Sequence, residues 1–175
     1  ASERWTRDTV LEVPADSTVR VLALPEPSGI SGAYFADLRL TGADGRPLSS
    51  NFYWLSTRSD VLADTSTWYM TPVKSYADYT ALASMPRATV TASARFTTRG
   101  TDEDARVTLT NTSQAVAFFL RLQVTGRGGE EALPVLWEDN CLSLLPGETR
   151  VVTATCRARD LGGAAPRVVV SGWNV

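Results

Sequence analysis

Between Leu133 and Cys156 the chain reads LPVLWEDNCLSLLPGETRVVTATC. It runs from an apolar segment through the acidic break Glu138-Asp139 and a short LSLL run to the turn Pro146-Gly147. A second run follows, in which Val152, Ala154 and Cys156 share one face. Period-two apolar segments broken by a Pro-Gly turn, with no helical period, read as the corner of a β-sandwich.

Working outward, ATVTASARFT places Val90, Ala92, Ala94 and Phe96 on one face of a half-buried strand, and ARVTLTNTS adds a second strand after the polar turn RGTDED. AVAFFLRLQV supplies Val116, Phe118, Leu120, Leu122 and Val124 as one apolar face, which predicts the central strand of this core. RVVVSGWNV closes the chain. Strands at roughly ten-residue intervals separated by turn signals indicate a sandwich of immunoglobulin type.

Nearer the start, DTVLEV and TVRVLAL flank the turn Pro14–Ser17 and predict two strands of a sheet entered partway through. AYFADLRL and LSSNFYWLS surround Asp44-Gly45, a strong short-range hairpin signal because glycine tolerates the positive φ of such turns. Phe52 and Trp54 point one way and Tyr53 and Leu55 the other, giving a strand apolar on both faces. Met85-Pro86-Arg87 marks a boundary. The reading is therefore all-β, with two immunoglobulin-like β-sandwich domains at 1–86 and 87–175, the first incomplete at its N-terminus.

Composition restricts the chemistry. The 175 residues hold no histidine and two cysteines, which removes the commonest general base and metal ligand together, so no metal site and no cofactor are expected. A formal charge of -2 provides no basic footprint for nucleic acid or an anionic membrane surface. No apolar run approaches the roughly 18 to 20 residues of a membrane helix. The opening ASERWTRDTV has neither the basic nor the apolar region of a signal peptide, so a secreted parent would carry its signal upstream.

Five features of the sequence are candidate sites. Trp68, Tyr69, Tyr76 and Tyr79 interleave with Asp, Ser and Thr, a pattern that suits either a sugar-stacking platform or rings pinning a long loop to a neighbouring domain. Paired carboxylates suffice for glycoside hydrolysis, but Asp102, Glu103, Asp104, Glu130 and Glu131 read as solvated turn charges. Glu138 and Asp139, following Trp137, better fit a group holding a sugar hydroxyl. GRGGEE lacks a following helix and a GKS or GKT ending, so it is a reversal and not a phosphate loop. Antiparallel pairing about Pro146–Glu148 would bring Cys141 near Cys156, leaving open a disulfide or two free thiols. Asn111-Thr112-Ser113 is a sequon of consequence only in a glycosylating host.

NFYWLSTRSDVL, STWYMTPVKSYADYTAL, PRATVTAS, FFLRLQVT, LPVLWEDNCLSLLPGE and VSGWNV together resemble, in order and across essentially the whole chain, the C-terminal region of exo-β-D-glucosaminidases. These are secreted, chitosan-degrading members of glycoside hydrolase family 2, related to β-mannosidases. The resemblance implies the last two immunoglobulin-like domains of such an enzyme. Its two catalytic glutamates belong to a TIM barrel that no stretch here matches, so no catalytic residue is transferred. It further implies an extracellular parent, an upstream catalytic barrel as partner and a chitosan oligosaccharide within reach. Cysteines at 141 and 156 stand where the family pattern has aromatics, and that paired departure favours the bridge. The rival readings are a free-standing carbohydrate-binding module and an adhesion-type immunoglobulin-like pair.

Overall fold

The computed structural model describes residues 3–25, 28–30, 32–63 and 69–175. It is all-β and divides into two compact units, residues 1–84 and 85–175.

In the first unit β1 (Ala33–Thr41) pairs antiparallel with β2 (Pro47–Ser56). Gly45 takes the positive φ of 77° that closes the hairpin, and its N–H donates to the Gly42 carbonyl at 2.9 Å. The Asp44-Gly45 signal thus marks a real turn. Phe35 faces Trp54 across the ladder and its ring lies 5.2 Å from that of Phe52, while Tyr34 faces Leu55 on the opposite side. A two-residue β3 (Val61–Leu62) pairs with β4 (Val73–Ser75), and a 310 turn covers Thr80–Ser84.

The strands expected in DTVLEV and TVRVLAL are not formed. Residues 3–25 carry no strand, and Val10 is fully exposed. β-propensity is a preference for a pleated, half-buried surface, and it builds no ladder without a partner strand, which none of the described residues supplies. The turn between the two runs does form. The Ser17 hydroxyl donates to the Pro14 carbonyl at 2.7 Å, and Asp16 adopts a φ of 53°.

The second unit has seven strands in two sheets. β5 (Val90–Arg99), β6 (Asp102–Asn111), β10 (Thr149–Arg157) and β8 (Val135–Trp137) form a four-stranded antiparallel sheet in that order. β11 (Arg167–Ser171), β7 (Ala117–Thr125) and β9 (Leu142–Leu144) form the other. A four-plus-three division of antiparallel strands is the constant-type immunoglobulin arrangement. Between the sheets Val107, Leu109, Leu120, Leu122, Leu144 and Val152 are essentially inaccessible. Each such side chain contributes about 1.5–3 kcal/mol before chain entropy is subtracted.

β7 is central in its sheet, as its apolar run predicts, but its inward face is not one unbroken row. Ala117 pairs with Leu144 and Leu120 with Leu142, so two residues of β7 oppose one of β9. This is a β-bulge, and Phe119 within it takes a φ of 53°. The extra residue reverses the alternation. Ala115, Ala117, Leu120 and Leu122 face the main core, whereas Val116 and Phe118 are buried outside that cluster, the Phe118 ring lying 6.4 Å from Trp173.

The start of β6 also differs from expectation. Asp102, Glu103 and Asp104 lie in the strand and not in the turn before it, where Asp102 takes Arg157 at 2.8 Å and Asp104 takes Arg99 at 3.0 Å. Cross-strand ion pairs at a sheet end supply the partners that make those charges compatible with a ladder.

Candidate functional site

The aromatic group falls in the first unit. Trp68 lies outside the described residues. Tyr69, Tyr76 and Tyr79 are exposed, Tyr76 to 79%. The loop bearing them is held by its backbone: Ala77 N–H donates to Asp60 Oδ1 at 2.7 Å, and the Ser56 hydroxyl donates to the Asp78 carbonyl at 2.8 Å. Asp78 accepts from both the Thr80 hydroxyl (2.6 Å) and the Thr80 N–H (3.0 Å), which opens the 310 turn and holds the Asp78 carboxyl below its ordinary pKa, with Arg58 adding a smaller attraction. The rings are therefore presented at the surface of an anchored loop.

Trp137, Glu138 and Asp139 each have a structural task in the second unit. Trp137 packs against both core clusters. Glu138 Oε2 accepts from the Thr153 hydroxyl at 2.8 Å and its N–H at 3.2 Å, and Asp139 pairs with Arg150 at 2.8 Å. The tryptophan thus offers the core its ring, and the two carboxylates stabilise the β8–β10 corner.

The two cysteines are free thiols in the structure, Cys141 exposed and Cys156 buried, which corrects the expected bridge. The hairpin that would have joined them does not exist, because β9 pairs with β7 in one sheet while β10 pairs with β6 and β8 in the other. Pro146-Gly147 turns the chain between sheets and not within one. Burial first, then the charges of Glu103, Asp160 and Asp102, raise the Cys156 pKa.

Two asparagines tie this unit together, Asn111 of the sequon and Asn174 near the end of the chain. Asn111, fully buried, donates from Nδ2 to the carbonyls of Ala115, Leu144 and Leu145 at 2.7, 3.1 and 3.2 Å. Its Oδ1 accepts from the Ser113 N–H and hydroxyl at 3.0 and 2.7 Å, so the sequon nitrogen is shut inside the fold. Asn174 accepts from Phe118 N–H at 2.9 Å and donates to the carbonyls of Pro86 (2.7 Å) and Val116 (2.8 Å). Buried amides with this many partners hold irregular backbone that no ladder satisfies. Their signal in the sequence was position alone, at strand ends.

Among the described residues no group of three or more His, Cys, Asp or Glu could hold a metal ion, and no helix is long and apolar enough to cross a membrane. The carboxylates at the sheet ends are spent on arginines and threonines.

This architecture defines the second unit as an immunoglobulin-like β-sandwich. The chain belongs to the Ig-fold domain family of exo-β-D-glucosaminidases, whose model matches residues 68–175. It is 46% identical over 159 residues to the exo-β-D-glucosaminidase of Streptomyces avermitilis and 41% identical over 158 residues to that of Amycolatopsis orientalis. Each match takes in 87% of this chain, but only 18% and 15% of those relatives. In the crystal structure of the A. orientalis exo-chitosanase CsxA the likeness covers 87% of this chain and 18% of that one, at 40% identity and a TM-score of 0.81. The family match begins at residue 68 and so takes in the aromatic loop as well as the second unit.

Proposed function

We propose that this chain is a non-catalytic accessory region of a secreted exo-β-D-glucosaminidase that hydrolyses chitosan oligosaccharides, its work being to support an upstream catalytic barrel of the same polypeptide. The observation that carries the reading is the match of 87% of this chain to relatives of which it spans only 15–18%. In this proposal Trp68, Tyr69, Tyr76 and Tyr79 contact the rest of the enzyme. Exposed rings on a backbone-anchored loop suit that task, since each tyrosine brings a large apolar face with few rotors to immobilise. Residues 1–86 and 87–175 are two domains of this region, and the hairpin of β1 and β2, apolar on both faces, is part of the first. The test is hydrolysis and binding by the chain itself. It should release no glucosamine from a chitosan oligomer, and turnover above the buffer rate would overturn the accessory role.

The same exposed tyrosines favour one second reading, a carbohydrate-binding module. Titration with chitosan oligosaccharides separates the two. Saturable binding lost in Tyr76→Ala supports the module, and no binding supports the buttress.

A further inference from the structure

The outward face of the four-stranded sheet breaks a rule that it obeys elsewhere. Across β5 and β6 its directly opposed pairs are Thr91 with Thr110, Ser93 with Thr108, Arg95 with Arg106, Thr97 with Asp104 and Arg99 with Asp102. All but one are neutral pairs or include an acid. Like charges directly opposite on a ladder are destabilising, and Arg95 against Arg106 is such a pair.

The other arginines of this face are neutralised. Arg99 holds Asp104 at 3.0 Å, and Arg157 holds Asp102 at 2.8 Å. Those contacts occupy Asp102 and Asp104, the latter also accepting from the Thr155 hydroxyl at 2.8 Å, while Glu138 keeps its charge but is turned to Thr153 at 2.8 Å. Among the described residues neither Arg95 nor Arg106 has a carboxylate within ion-pair distance, and both side chains are exposed. They line a shallow, open depression of about 430 Å³ together with Thr97, Thr153, Thr155 and the Arg99–Asp104 ion pair. A local rule broken where its neighbours keep it is the mark of a site and not of packing.

We propose that Arg95 and Arg106 form a carboxylate-binding site on this sheet. Each guanidinium presents a planar fork of N–H donors, and a carboxylate has lone pairs enough to accept from both forks at once. Register sets the two residues directly opposite on one ladder, and an anion between their guanidinium groups relieves the repulsion. The site has the wrong sign for an amino sugar. A protonated glucosamine residue is repelled by the two guanidinium groups. Bare carboxylates and uronic-acid sugars share the required group. At exposed positions the attraction is weak and salt-screened, which gives a dissociation constant on the order of 1–10 mM at low ionic strength.

The experiment is a 15N-detected titration of arginine Nε–H signals of the full chain with sodium acetate, sodium galacturonate and glucosamine hydrochloride, using sodium chloride as the salt control. The expected result is saturable displacement of the Arg95 and Arg106 signals by both carboxylates, little movement of Arg157, and loss of the response in Arg106→Glu. That variant sets an acid opposite Arg95 and should melt no lower than the parent; should it fail to fold, Arg95→Thr reads the same loss. Galacturonate binding at least threefold tighter than acetate identifies a uronic sugar as the source, and equal affinities identify the carboxylate alone; both support the site. Non-saturating shifts, an unchanged response in the variants, or equal displacement by glucosamine overturn it.

Discussion

The side-chain amide of Asn140 pairs with the backbone of Leu122 as a neighbouring strand residue would. Its Oδ1 accepts the Leu122 N–H at 2.8 Å and its Nδ2 donates to the Leu122 carbonyl at 2.9 Å. The ladder of β9 on β7 reaches Leu142 opposite Leu120, and one further step along it would set residue 140 against Leu122. Cys141, at a φ of 56°, turns the backbone away, so the side chain of Asn140 completes the pair.

Asn140→Ala should therefore cost about 2 kcal/mol, since it strands a partly buried donor and acceptor together. That corresponds to a fall of roughly 8–16 °C in Tm for a domain of this size. Asn140→Asp is not expected to rescue it, because a carboxylate accepts the Leu122 N–H but faces the carbonyl without a donor. Thermal denaturation of the three proteins checks both statements.

The glycines of GRGGEE should divide by cause. A Cβ on Gly126 would lie 2.5 Å from the Leu161 carbonyl oxygen and 2.8 Å from its Cα, both backbone atoms, so Gly126→Ala must displace the chain and should cost about 2–3 kcal/mol. Gly128 meets nothing within 4 Å and needs only its φ of 72°, so Gly128→Ala should cost about 1 kcal/mol. Urea unfolding of the pair separates close approach from backbone strain.

Expression in a glycosylating host should give folded chain without a glycan on Asn111. The Nδ2 that would carry the sugar donates to Ala115 O at 2.7 Å inside the sandwich. Intact mass of the native fraction before and after an endoglycosidase tests this. Asn111→Ala, which leaves three carbonyls without that donor, should lower stability by about 3 kcal/mol.

Intact mass should be identical with and without reductant, and a thiol reagent should modify Cys141 at once but Cys156 only on unfolding. Because burial raises the Cys156 pKa in the fold, the unfolded chain loses its proton first as pH rises. The stabilisation is complete below the ordinary thiol pKa of about 8.5 and is lost as pH climbs through the raised folded value. Cys156→Ala should flatten the alkaline limb of the stability profile, as read by denaturant melts between pH 7 and 10.

Local pattern alone determined that the fold is of the all-β class. Alternation in AVAFFLRLQV and VVTATC, Asp44-Gly45 between β-rich runs, and the absence of any helical period are properties of neighbouring residues, and they survive into β7, β10 and the first hairpin. Strand partnership, by contrast, arises only in three dimensions. Which sheet a strand joins depends on residues far along the chain, so Pro146-Gly147 could be read as a hairpin when it is a crossing between sheets, and Cys141 and Cys156 could be joined when they belong to different ladders. The bulge at Phe119, the unpaired run before residue 25, and the opposition of Arg95 to Arg106 have the same origin: a side chain's face and charge partners are set by register, which no single strand contains.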